Sequence, residues 1–150
     1  MTTKAAIEGF FSQPVLAVAG ASRNPQKFGN WAYKELKARG CRVLAINPNA
    51  QTIEGDPCYP SLAALPEKVG GLLITTQPAA SEQLVREAAG LGISQIWLQQ
   101  GSESPAALQF CQEHGMNVVV GECILMYHPN AAFPHRIHKF FKETFGGKPK

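Results

Sequence analysis

The chain has 150 residues, 45% of them hydrophobic and 17% charged, which is the balance of a single folded domain and excludes a disordered or fibrous protein. Its net charge of +3 is uneven: Arg136, Lys139, Lys142, Lys148 and Lys150 against Glu143 leave +4 on residues 133–150, so the remainder sums to −1. A short basic tail is not the basic face with interleaved aromatics of a nucleic-acid binder. No apolar run approaches the ~20 residues that cross a bilayer. The start, MTTKAAIEGFF, has no signal-peptide hydrophobic region, and Cys41, Cys58, Cys111 and Cys123 form no CxxC pair. Reduced thiols, a cytoplasmic location and no membrane association are therefore expected.

Apolar runs alternate with helical patterns along the chain. Ile7, Phe10 and Phe11 predict a short N-terminal helix laid on the core. Val15–Ala19 reads as a strand, Asn30–Arg39 as a helix stopped by Gly40, and Cys41–Ile46 as a strand ended by Asn47-Pro48. Ser61–Leu65 reads as a short helix capped by Ser61, Gly71–Thr75 as a strand, and Ala79–Ala89 as a helix closed by Gly90. Ser94–Leu98 is a fourth strand, Pro105–Glu113 a helix with Ser104 as cap and Pro105 at its first position, and Asn117–Val120 a fifth strand. Phe133, Ile137, Phe140, Phe141 and Phe145 fall on one stripe, so a C-terminal helix is expected over about 131–145. That stripe reads first as a packing face.

The strands are continuous apolar runs, as strands covered on both faces are. Alternating βα units of this kind predict an α/β fold with a Rossmann-like, doubly wound, parallel five-stranded sheet in three αβα layers, with extra helices at both termini. Residues 1–150 form one domain with its core at about 12–127.

In such a sheet a ligand sits beyond the carboxyl ends of the strands, where strand order reverses. The first strand ends in Gly20, Ala21, Ser22, Arg23, Asn24, Pro25, Gln26 and Lys27. Small residues admit a phosphate, Ser22 offers a hydroxyl, and Arg23 and Lys27 offer charge. After Gly20 there is no glycine two positions on, so GxGxxG is absent, and so is GxxxxGK[ST]. The second strand ends in Asn47-Pro48-Asn49, where NAD-binding proteins normally hold an acid on the ribose hydroxyls. The chain has a single Asp, Asp56, and the nearest Glu, Glu54, lies in the following loop. An acid-free end suits a ligand with a phosphate on its adenosine ribose, NADP or coenzyme A, better than NAD. The third and fourth strands end in Thr75-Thr76-Gln77-Pro78 and Gln99-Gln100-Gly101, polar and uncharged groups suited to ribose, adenine or an amide chain.

Four segments together, VAGASRNPQKFGNWAY, GCRVLAINPNAQTIEGDPCYPSL, IWLQQG and GEC, resemble the small stand-alone CoA-binding domain proteins, relatives of the N-terminal domain of the succinyl-CoA synthetase α subunit. The resemblance covers residues 12–127. Its most specific pieces are the INP strand end with G-x-x-C-Y-P-S-L at Gly55–Leu62, and WxQxG at Trp97–Gly101. It implies that Gly20, Ala21, Ser22 and Arg23 hold the CoA pyrophosphate, with Lys27 as a phosphate partner. By the same resemblance Asn47 and Pro48 lie beside the adenosine ribose, and Thr76, Gln77 and Pro78 beside the adenine. Where the synthetase subunit has a Lys two residues beyond the proline, this chain has Ala50, which leaves Arg23 or Lys27 for the 3′-phosphate. The synthetase domain that carries the phosphorylated His has no counterpart here, so ligase activity is not implied.

No catalytic constellation stands out: G-x-S-x-G, H-E-x-x-H and paired carboxylates at strand ends are all missing. His128, His135 and His138 cluster without a neighbouring Cys or acid ligand, so surface or packing roles are expected and no metal. Cys58 reads as packing, and Cys123, after the fifth strand, as packing or within reach of a bound thiol. The expected function is binding of CoA or acyl-CoA through a strand-turn-helix site, with Gly20, Ala21, Ser22, Arg23, Lys27, Asn47, Pro48, Thr76, Gln77, Pro78, Gln99 and Gly101 as binding residues and no catalysis. The alternatives are an NADP-dependent oxidoreductase, and an interaction module with a vestigial nucleotide pocket that works through the basic Phe-rich C-terminus. A homo-oligomer is compatible with all three.

Overall fold

A computed structural model describes residues 3–127. The elements run α1 (Lys4–Phe11), β1 (Leu16–Ala19), α2 (Phe28–Ala38), β2 (Val43–Ile46), β3 (Thr52–Ile53) and β4 (Asp56–Tyr59). They continue with a 3₁₀ turn at Leu62–Ala64, β5 (Gly71–Ile74), α3 (Pro78–Gly90), β6 (Gln95–Leu98), α4 (Pro105–Glu113), β7 (Asn117–Val120) and a second 3₁₀ turn at Ile124–Met126. The sheet order is β3-β4-β2-β1-β5-β6-β7, parallel throughout except for β3 against β4. The doubly wound expectation holds, and each of the five anticipated strands is present within two residues of its expected ends.

Why the central strands show no alternation is visible in the core. All four residues of β1 and of β5 are buried. Leu16, Val18, Leu73, Trp97 and Val119 point to one face and pack with Ile7, Phe10, Ala32 and Leu36 of α1 and α2. Ala17, Ala19, Leu72, Ile74, Ile96 and Leu98 point to the other and pack with Val85, Ala88, Ala107, Phe110 and Cys111 of α3 and α4. Two apolar faces on one sheet make three layers. Trp97 is fully buried and meets Phe10, Phe11 and Tyr127 edge-on at 5.3–5.7 Å between centroids. The N-terminal helix expected from Ile7, Phe10 and Phe11 therefore closes the first core.

Three expectations are corrected. The sheet has seven strands rather than five, because β3 and β4 form a hairpin that extends it beyond β2. Its two-residue turn, Glu54-Gly55, has positive φ at both positions (53° and 81°), the pattern of a type I′ connection. The strands are short and β4 contains Pro57, which sequence patterning scores as a loop. The second correction concerns α3, which runs through Gly90; the chain reverses at Gly92, with φ +79°. The third is that Ser61 stands at the N-cap of a 3₁₀ turn without making a side-chain cap bond. Ser104 behaves as expected, its Oγ accepting the Ala107 N–H at 3.1 Å. The expected C-terminal helix over 131–145 and the three clustered histidines lie outside the described residues.

Candidate functional site

Strand order reverses at β1, which has β2 on one side and β5 on the other. The turn after β1 and the segment after β5 therefore meet at the switch point, where a ligand is expected. Gly20 has φ +91°, and a Cβ there would lie 2.5 Å from the Thr75 hydroxyl, which itself donates to Ala19 O at 2.9 Å. Only glycine fits between the two strand ends. The fully buried Ala21 follows.

Beyond it the backbone folds on its own short polar side chains. Ser22 Oγ accepts the Asn24 N–H at 3.0 Å, and Asn24 Oδ1 accepts the Gln26 N–H at 2.9 Å. Asn47 Nδ2, at the end of β2, donates to Ala21 O at 2.7 Å, while Asn47 Oδ1 accepts the Asn49 N–H at 2.8 Å. Ser22, Arg23, Asn24, Asn47 and Asn49 thereby line a groove of about 420 Å³. Among the described residues its lining contains one cation and no carboxylate, thiol or imidazole. The single Asp of the chain is committed elsewhere. Asp56 pairs with Lys37 and accepts from Tyr33 OH at 2.8 Å, and these bonds hold its carboxyl below the usual range.

The helix ends at this site differ from the others. The first turn of α1 is capped by Thr3 Oγ1 at 3.0 Å from Ala6 N, and that of α4 by Ser104. The N-caps of α2 and α3, Lys27 and Gln77, provide no side-chain bond. The two helices that begin at the switch point thus keep their first-turn N–H groups free of side-chain caps. The peptide N–H groups of Ala21, Ser22 and Arg23 also have no partner among the described residues. Together these donors carry positive partial charge, to which Arg23 adds a full one.

Not every expected residue joins the groove. Lys27 is exposed at the start of α2, Pro48 is exposed between Asn47 and Asn49, and Gln77 and Pro78 open α3. Thr76 lies against Gly20, where its Cγ2 would stand 3.1 Å from an added Cβ, and its hydroxyl meets Ser81 Oγ at 3.2 Å. Gln99 is buried, and its Oε1 accepts the Ile124 N–H at 3.0 Å, bracing the segment after β7. Gly101 has φ +92°, and its N–H donates to Glu103 Oε1 at 3.0 Å. Cys58 is buried behind the groove with its thiol 3.8 Å from Asn47 O, and desolvation raises its pKa. Trp31 on α2 is 56% exposed, its ring 6.3 Å from that of Phe28.

Two contributors carried no clear sequence signal. A Cβ on Gly29 would stand 1.9 Å from Gly20 O, so this glycine lets α2 pack on the end of β1. It fills the helix-packing role of the last glycine of GxGxxG, at a longer spacing. Asn30, 1% exposed, donates from Nδ2 to both Ser22 O and Glu54 Oε2 at 2.9 Å. The sequence shows it only as one more polar residue at the start of a helix.

No helix among the described residues is long and apolar enough to cross a membrane, and no group of three metal-ligating side chains occurs among them. Among curated proteins the chain is 28% identical over 136 residues to acetate–CoA ligase [ADP-forming] I of Archaeoglobus fulgidus, covering 84% of this chain and 20% of that protein. It is 23% identical over 129 residues to the α subunit of acetate–CoA ligase [ADP-forming] II of Pyrococcus furiosus, covering 79% and 28% respectively. The chain thus spans between a fifth and a third of the length of these relatives. Among solved structures, a conserved hypothetical protein of Pyrococcus furiosus is 37% identical, with a TM-score of 0.71 over 73% of this chain and 95% of its own. A hypothetical protein of Pyrococcus horikoshii is 26% identical, with a TM-score of 0.75 over 82% and 87%. Residues 15–129 match the family described as the CoA binding domain, so the acid-free strand end and the glycine-poor turn are those of a protein that belongs to the CoA binding domain family.

Proposed function

We propose that this chain binds coenzyme A or an acyl-CoA in the groove at the switch point and that binding, rather than a reaction, is its function. The observation that carries this reading is the first turn of α2, which has no side-chain cap, following a groove whose only charged lining residue among those described is Arg23. A diphosphate would meet the free N–H groups of Ala21, Ser22 and Arg23 and the α2 N-terminus, where anions are favoured by ~0.3–1 kcal/mol from the helix alone. Asn47 and Pro48 would flank the adenosine ribose, and Thr76, Gln77 and Pro78 the adenine. Arg23 takes the 3′-phosphate in place of the lysine that Ala50 replaces. The donor set fits this ligand, because no acid among the described residues lines the groove to repel a second phosphate.

Family membership supports the ligand class, and the relatives named as CoA ligases support it further. Binding without chemistry is read from a groove whose described lining residues are Ser22, Arg23, Asn24, Asn47 and Asn49. The test is calorimetric titration with CoA, 3′-dephospho-CoA, NADP and NAD. CoA should bind tightest, dephospho-CoA more weakly, and NAD weakest. No heat from CoA at millimolar concentration defeats the proposal, and a preference for NADP replaces it with a nicotinamide cofactor.

A further inference from the structure

We propose that Asn30 and Asn47 are positioning residues: they lock two consecutive peptides of the β1–α2 turn so that the N–H groups of Ser22 and Arg23 face the groove before any ligand arrives. In a trans peptide the C=O and the following N–H point in opposite directions. Asn47 Nδ2 holds Ala21 O at 2.7 Å, which fixes the direction of the Ser22 N–H. Asn30 Nδ2 holds Ser22 O at 2.9 Å, which fixes that of the Arg23 N–H. Neither N–H has a partner among the described residues. Two side-chain amides thus hold two consecutive carbonyls and leave the two N–H groups of the same peptides without a partner among the described residues.

Each amide is itself anchored. The second hydrogen of Asn30 Nδ2 goes to Glu54 Oε2 at 2.9 Å, on the tip of the β3–β4 hairpin. Glu54 holds that place at φ 53°, a conformation that a non-glycine residue adopts at a cost. Asn47 is fixed by the Asn49 N–H on its Oδ1 and by its own N–H on Tyr59 O at 2.9 Å, within β4. Both braces therefore trace back to the hairpin that extends the sheet. The hairpin is thereby the outer support of the phosphate turn, and preorganised donors spare the ligand the work of ordering them.

The inference rests on the proposed CoA site for its ligand, and its test separates the two. Full-length Asn30→Ala, Asn47→Ala and Glu54→Gln variants are titrated with CoA and 3′-dephospho-CoA, and ¹⁵N relaxation of the Ser22 and Arg23 amides is recorded in the free proteins. Asn30→Ala and Asn47→Ala should weaken both ligands by the same factor, on the order of tenfold, the value of one oriented hydrogen bond to a charged group. Their Ser22 and Arg23 amides should become mobile on the sub-nanosecond scale. Glu54→Gln keeps an acceptor for Asn30 and should match the wild type in both readouts. A turn that stays rigid in both alanine variants overturns the inference, and so does unchanged affinity in a variant whose turn has loosened. If the wild type binds no CoA, the ligand reading fails, and relaxation alone decides the braces. If Asn30→Ala does not fold, Asn47→Ala carries the test, because its side chain is only half-buried.

Discussion

Replacing Gly29 by alanine tests whether the end of β1 and the start of α2 touch as closely as described. The added Cβ would stand 1.9 Å from Gly20 O, 2.9 Å from Gly20 C and 3.2 Å from Ala21 Cα, all backbone atoms that no rotamer change can move. Restoring ordinary contact, which begins at 3.4 Å, requires 1.5 Å of separation between strand end and helix. Overpacking in well-packed cores costs about 1–3 kcal/mol, and a clash with the main chain belongs at the upper end. Alanine's better helix propensity returns less than about 1 kcal/mol. The net loss should be about 2 kcal/mol, a fall in Tm of about 4–8 °C for a domain of this size. Urea unfolding with linear extrapolation measures it, and calorimetry should show CoA binding weakened at least tenfold, because the displaced helix carries the first-turn donors away. Gly90→Ala, where nothing lies within 4 Å of the new Cβ, is the control and should be neutral or slightly stabilising. A Gly29→Ala protein with wild-type stability and wild-type CoA affinity would refute the reasoning.

Three further outcomes are expected. Arg23→Ala should weaken CoA about tenfold and flatten the salt dependence of its Kd, since the one cation among the described lining residues is gone; an unchanged salt slope counts against its phosphate role. Ser104→Ala removes the side-chain cap of α4 and should cost about 1 kcal/mol in urea unfolding while CoA affinity stays constant. Burial, aided by Asp56, raises the Tyr33 pKa far above its ordinary 10.0, so its contribution is complete below pH 10 and is lost as pH rises beyond it. Tyr33→Phe, compared with wild type by denaturant unfolding between pH 8 and 11, should therefore lose less stability over the alkaline half of that range.

Burial periodicity made the sheet readable from the chain. The runs at Leu16–Ala19 and Gly71–Ile74 are apolar without alternation because helices cover both faces, and that pattern together with the alternating helices points to a parallel sheet. The hairpin was not readable. Thr52-Ile53 is too short for a period, Pro57 interrupts its partner, and Glu54 stands where asparagine or glycine would announce the turn. Around the groove, Ser22, Arg23 and Asn47 could be anticipated as lining because they adjoin strand ends, and strand ends are where such sheets bind. Asn30 and Gly29 could not, since their roles depend on three-dimensional contacts between elements, to Glu54 on the β3–β4 turn in the one case and to Gly20 O at the end of β1 in the other. Gln99 shows the converse. Its position at a strand end suits a ligand, yet its carbonyl oxygen is engaged by the Ile124 N–H.

The contrast between Trp31 and Trp97 has a practical consequence. These are the only tryptophans in the chain, and one is 56% exposed on α2 while the other is fully buried in contact with three aromatic rings. Their fluorescence should separate into a red component from Trp31 and a blue one from Trp97. A ligand settling at the start of α2 should alter the red component alone, whereas loss of the fold shifts the blue one. One emission spectrum of the unlabelled protein would then follow occupancy and integrity at once.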